Sequence, residues 1–149
     1  MLETLEEIRA KFAERMGLVS SWRETFQRYR TYPKIALVAP PSDFRTLNGK
    51  LVEKTDVDLS ARLMAMGRLH KAFALTAAIP TAAASRIPGS VVARICRGRS
   101  DTLRIGHPSG VLEIGVTACE KGGETLVQEI VVGRTARKLM EGVVFCPNR

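Results

Sequence analysis

Residues 72–85, AFALTAAIPTAAAS, restrict the fold more than any other stretch of the chain. Fourteen consecutive residues carry no charge, and half of them are alanine. A membrane span needs about 20 apolar residues, and this run is shorter and contains Pro80. It therefore reads as a helix inside a soluble domain, starting near Leu69 and ending near Ser85. Apolar residues on nearly every side predict burial all round, and the alanines let neighbouring backbones come close. Pro80 removes one backbone hydrogen bond and bends the helix. Pro88 and Gly89 stop it. At 149 residues the chain has one domain's length, enough to bury an ordinary core.

The flanking segments supply what would surround such a helix. Leu2, Leu5, Ile8, Phe12 and Met16 recur at steps of three and four, which predicts an amphipathic helix over 2–16, with Gly17 as its stop. Residues 20–33 read as a connector or a short surface helix. KIALVAPP (34–41) is a compact apolar strand closed by two prolines. LNGKL carries the Asn-Gly of a tight hairpin. DLSARLMAMG (58–67) places Leu59, Leu63 and Met66 on one helical face, with Asp58 as cap. The last third predicts strands at 90–96, 102–107, 110–119, 124–133 and 141–147. Gly122-Gly123 forms a hairpin turn there, and 134–140 is a helical turn or part of a strand. The implied class is α+β, with mostly antiparallel strands wrapped around one central apolar helix.

Charge and cysteine content narrow the function. The net charge is +8, concentrated over residues 68–104, where seven Arg or Lys side chains face a single acid, Asp101. Nucleic-acid binding calls for a basic motif or stacking aromatics, and the aromatics lie mostly elsewhere, so no nucleic-acid partner is expected. Three widely spaced cysteines, Cys96, Cys119 and Cys146, make neither a disulfide framework nor a metal pair. No metal site, no signal peptide and no membrane segment is expected. The chain reads as cytoplasmic with reduced thiols.

Two stretches offer chemistry. Arg68, His70 and Lys71 follow Gly67 at the front of the apolar helix. A helix front exposes unpaired N–H groups and the positive end of its dipole, which suits an anion. Snorkelling of basic side chains from a buried helix end explains the same residues. In RIGHPSG (104–110), His107 and Ser109 sit in a glycine- and proline-rich turn and either reach a ligand or hydrogen-bond the turn, and turn chemistry alone accounts for each residue. Arg134, in GRTARKLMEG, is a weaker anion contact on a solvated face.

Five stretches, LEEIRAKFAERMGLV, PKIALVAPPSDF, MGRLHKAFALTAAIPTAAASRIPGSVV, RIGHPSGVLEIGV and GRTARKLMEGVVFCP, follow one another across most of the chain. Together they resemble the C-terminal half of the PrpF-type isomerases, which include 2-methylaconitate cis-trans isomerases and 4-oxalomesaconate tautomerases. The resemblance implies a diaminopimelate epimerase-like fold of two similar domains, with the substrate in the cleft between them and the front ends of their central helices facing it. It implies cofactor-independent proton transfer on small di- and tricarboxylates. It places Met66, Gly67, Arg68, Leu69, His70 and Lys71 at the substrate, with Ser109 and Gly110 in second rank. Members of the family are more than twice as long, and their N-terminal domain carries the proton-moving cysteine and lysine. None of the three cysteines here matches that motif, so no catalytic residue is assigned. Residues 1–149 are expected to be a single C-terminal-type domain, inactive alone, with 1–33 docking at an absent N-terminal domain. A separate N-terminal half or self-association would complete it. A non-catalytic module for polycarboxylate or subunit binding is the alternative.

Overall fold

The computed structural model describes residues 1–30, 32–98 and 100–146. Its backbone is a six-stranded sheet with one face covered by a helix. Strand β1 (Ile35–Ala39) pairs with β4 (Leu59–Ala65), and the order continues through β6 (Thr102–His107), β7 (Gly110–Lys121) and β8 (Glu124–Val132). All of these pairs are antiparallel except β4–β6. The short β5 (Arg68–Leu69) also pairs with β4. A separate hairpin of β2 (Phe44–Arg45) and β3 (Leu51–Val52) turns through Asn48-Gly49, as the sequence suggests. The α+β class follows from this arrangement.

Alternation of side chains divides the faces of the sheet. Leu59, Ala61 and Leu63 of β4, Leu103 and Ile105 of β6, and Ile114 and Val116 of β7 form one core with Phe73, Ala77, Ala78 and Ala82. The last three belong to α3 (Leu75–Arg86). Each large side chain buried this way contributes about 1.5–3 kcal/mol. Pro80 lies inside α3, as expected. Burial on every side is not what the helix has: Ala77, Ala78, Thr81, Ala82 and Ser85 face the sheet, while Thr76, Ile79 and Pro80 are exposed.

Several expectations are corrected. Residues 58–67 are not a helix, because Ser60 and Arg62 alternate with the core residues Leu59, Ala61 and Leu63. Asp58 caps no helix. Its carboxylate accepts the Arg104 backbone N–H at 2.7 Å, Nη2 at 2.8 Å and Nε at 3.3 Å. Residues 90–96 are not a strand but hold α4 (Val91–Ile95), whose N-cap Ser90 accepts the Ala93 N–H at 3.0 Å. A local cap overrides β-branched propensity there. Residues 133–146 belong to no helix or strand, so the strand expected at 141–147 is absent over its described part, and Pro147 lies outside the described residues.

Helix α1 (Leu2–Arg15) forms as expected. Gly17, at φ 71°, ends it, with Gly17 N–H to Glu14 O at 2.9 Å and Leu18 N–H to Ala13 O at 3.0 Å, the pattern of a left-handed C-terminal cap. Its packed side is the small-residue one, Ala10 and Ala13 with the buried Arg9. Arg9 donates to Tyr29 O at 2.8 Å and pairs with Glu6 at 3.0 Å, which fixes the connector against the helix. The apolar stripe therefore points outward: Ile8 is 52% and Phe12 53% exposed. Phe12 and Met16 line a groove of about 540 Å³ with Ala36, Thr76 and Pro80.

The β4–β6 ladder spans only Leu59↔Ile105 and Ser60↔Gly106, and the Asp58–Arg104 pair adjoins it. Replacing Asp58 with Ala strands the Arg104 N–H and guanidinium. The loss expected in urea unfolding is about 2 kcal/mol, below the value for a fully buried pair because Arg104 is partly solvated. Asp58→Asn, which keeps an acceptor for the N–H, should lose less.

Candidate functional site

Strand β1 takes one edge of β4 from Ile35↔Met64 to Ala39↔Ser60. Strands β5 and β6 share the other edge end to end, β6 beside Leu59–Ser60 and β5 beside Met64–Ala65. Between them the chain leaves β5, and His70 N–H reaches Leu63 O at 2.8 Å. It then passes through Lys71 and the buried Phe73 into α3. The β6–β7 turn closes over the same gap. Ser109 Oγ donates to Lys71 O at 2.5 Å, and the Ser109 N–H is 3.2 Å from His107 Nδ1.

Sequence reasoning put Arg68, His70 and Lys71 in the first turn of the helix. That is corrected: Arg68 and Leu69 form β5, His70 and Lys71 lie in the loop, and the helix starts at Leu75. The reason is a tight turn at Met66-Gly67, both left-handed at φ 51° and 73°, which folds the chain back along β4. A left-handed methionine carries no sequence signal. The front of α3 is uncapped, since Ala74 supplies no side-chain acceptor. The Ala77 and Ala78 N–H groups both turn back to Ala74 O at 2.9 Å, so the first-turn N–H groups left for solvent or a ligand are those of Leu75 and Thr76.

The structure brings together His70, Lys71, Ser109 and Gly110 at the approach to the helix front. His70 Nδ1 lies 2.8 Å from Ala72 O and 3.0 Å from Ala72 N, which fixes the ring against the loop. Arg68 and Leu69 are exposed on β5. Met66 and Gly67 instead line a pocket with Glu6, Arg9, Phe26 and Arg30 under α1, away from this group. Sequence reasoning left His107 out of the site residues, although its turn was in view. It is buried beneath Ser109. Because its Nδ1 accepts a hydrogen bond, its proton sits on Nε2. Burial first, then the charges of Arg62 and His70, push its pKa below the usual histidine value.

This arrangement can hold an anion: it offers the Leu75 and Thr76 N–H groups and a lysine, on a short loop that the Ser109 hydroxyl pins. No cysteine belongs to this group, and burial pushes the thiol of Cys96, which lies after α4, above its usual value. Among the described residues no group of three or more His, Cys, Asp or Glu gathers as a metal site. No helix there is long and apolar enough to cross a membrane.

The family pattern described as PrpF protein matches residues 1–147. The chain belongs to the PrpF family. The 2-methyl-aconitate isomerase of Shewanella oneidensis is 44% identical over 148 residues, covering 99% of this chain and 37% of that protein. The 3-methylitaconate isomerase of Eubacterium barkeri is 42% identical, covering 97% of this chain and 38% of that protein. A crystal structure of a methylitaconate-delta-isomerase is 38% identical with a TM-score of 0.75, over 89% of this chain and 36% of that one. This PrpF chain thus spans a little over a third of the length of these relatives.

The neutral His107 has a consequence for stability. A histidine whose folded pKa lies below its unfolded value near 6.5 contributes fully above that pH. The contribution is lost as pH falls from there through the folded pKa. The urea midpoint of this PrpF chain should therefore drop between pH 7 and pH 5. His107→Gln, which keeps a polar side chain without the charge, should show a shallower drop. Equal slopes for the two proteins would remove His107 as the titrating group.

Proposed function

We propose that this PrpF chain forms one wall of an isomerase site for small unsaturated polycarboxylates. The observation that carries the reading is the uncapped front of α3, approached by a loop that presents His70 and Lys71 and is pinned by Ser109. Two features set the polarity of the wall. Helix N–H groups and an ammonium favour a carboxylate and stabilise the enolate-like charge formed when a proton leaves the adjacent carbon. His107, below the turn, accepts the Ser109 N–H at Nδ1 and so keeps the turn oriented.

Isomerisation of such a substrate needs one proton taken from carbon and one returned at another, with no net redox change and no cofactor. Lys71 and the helix N–H groups at this wall are donors and Ser109 and His107 orient the turn, while His70 is held through Nδ1 and has no protein partner at Nε2 among the described residues. A general base within reach of a carbon-bound proton would come from a second wall, in a two-domain cleft of the diaminopimelate epimerase-like kind. In that arrangement α3 is the central helix of its domain. The relatives' greater length and their isomerase names support the reading. So does the unpartnered apolar surface of α1 and of the open side of α3, which a second domain or another copy would cover. Residues 1–33 belong to that docking surface.

The expected result for the purified 149-residue chain is saturable binding of a citrate-like tricarboxylate by calorimetry without turnover. Lys71→Met should weaken that binding by about tenfold, or about 1.4 kcal/mol, and Ser109→Ala, which frees the loop, by less. In D₂O, 2-methylaconitate incubated with the chain should gain no deuterium beyond the buffer control when followed by proton NMR. Deuterium incorporation would show that one wall suffices. No binding at all would remove the carboxylate role of the α3 front.

A further inference from the structure

Arg62 lies on the sheet face opposite α3, on the same strand as the core residues Ala61 and Leu63. Its Nη1 donates to Ala61 O at 2.8 Å and Gly106 O at 3.4 Å. Its guanidinium carbon lies 5.4 Å from the centre of the Phe44 ring. Phe44 can lie that close to the sheet because residue 106 is glycine: a Cβ there would meet Phe44 Cε1 at 2.9 Å and Val57 Cγ1 at 3.1 Å. Two carbonyls and a ring thus hold the guanidinium half-buried. Among the described residues it forms no ion pair, and its Nε and Nη2 have no protein partner.

Arg62 also borders a pocket of about 250 Å³ lined by Leu37, Val38, Ala39, Ser42 and Ser60. The Ser42 and Ser60 hydroxyls are 3.4 Å apart. No acidic side chain faces the space, and its other walls are short and apolar. A guanidinium fixed in advance gives up little freedom when its fork binds. Two hydroxyls beside it add neutral donors, and a shallow aliphatic wall suits a short carbon chain or a bare oxyanion.

We propose that this pocket is a second anion site, separate from the α3 front, which takes one oxyanion group of a small carboxylate- or phosphate-bearing molecule. Arg62 supplies the forked donor, Ser42 and Ser60 the hydroxyls, and Phe44 and Gly106 position the guanidinium. The site does not depend on the isomerase reading, because it sits on the other face of the sheet and uses none of the same side chains.

The test is an NMR titration of the 149-residue chain with sodium succinate and, separately, sodium phosphate, at ionic strength held constant with sodium chloride. The Arg62 Nε–H and the Ser60 amide are followed. At least one of the two anions should move both signals to saturation. Saturation by succinate alone marks the carboxylate as the ligand class, by phosphate alone the phosphate group, and by both a general oxyanion site. Ser60→Ala should weaken binding by about tenfold, Arg62→Met should abolish it, and Arg94→Gln, which removes the same charge from α4, should leave it unchanged. If Arg62→Met does not fold, Arg62→Lys keeps the charge without the fork and should bind at least about tenfold more weakly. Linear drift matching the chloride control, or unchanged affinity in the Arg62 variant, overturns the proposal.

Discussion

The β4–β6 joint is the one parallel contact in the sheet among the described residues, and it is two residues long. Beside the core that β6 and β7 share with α3, it is clamped by Asp58 and Arg104. Their backbones exchange a bond at 2.8 Å from Asp58 N–H to Arg104 O, and the carboxylate takes three donors back from Arg104. The Asp58 carbonyl also accepts the Arg97 N–H at 2.8 Å, which ties the segment after α4 to the same point. A parallel ladder gives slightly less stability per residue than an antiparallel one, so a short one needs such a clamp. Once β6 is set beside the start of β4, its end at His107 falls opposite the place where β5 stops. The gap that admits Lys71 and carries the chain into α3 is a consequence of that register.

The alanine-rich helix behaves differently from a helix enclosed on every side. Its alanines bring the β-sheet close on one side and give the core its depth with small volumes, the bulk coming from Leu59, Leu63, Leu103 and Ile105. On the other side Thr76, Ile79 and Pro80 are exposed, and Thr76 and Pro80 line the open groove with Phe12 and Met16. The outward stripe of α1 and the segment after β8, where Phe145 is 92% exposed, extend that pattern. The exposed apolar surfaces of α1 and α3 share one cause: the apolar periodicity of each helix is wider than the face it turns to the rest of the described residues.

How much of this was legible depends on how local the determinants are. The meander of β6, β7 and β8 could be read because each strand alternates and Gly122-Gly123 marks its turn. Strand β4 could not, because Leu59, Leu63 and Met66 satisfy a helical stripe as well as Leu59, Ala61 and Leu63 satisfy an alternating one. A long-range partner, Arg104, decides between them. The error in α4 had a local cause, since Ser90 after Pro88-Gly89 is a cap signal that the valines obscured. The candidate site was half visible. His70, Lys71, Ser109 and Gly110 were named, but their meeting depends on the register of two strands that no window of sequence contains. Arg62 was hidden by the same misreading of β4, since only in a strand does it oppose the core.

Moving the basic residues out of the helix changes what the site can do. In a first helical turn, Arg68, His70 and Lys71 would fan outward around the axis and compete with solvent. In the loop, Ser109 holds the Lys71 carbonyl and Ala72 holds the His70 ring, so both side chains start from fixed backbone beside the uncapped front of α3. A negative charge arriving there meets groups already in place, with little reorganisation left to oppose it. The same rigidity limits the wall. Its donors stabilise charge wherever it forms, but the Ser109 hydroxyl and His70 Nδ1 are already engaged with backbone, and neither stands as a proton acceptor. A surface built in this way is suited to holding negative charge.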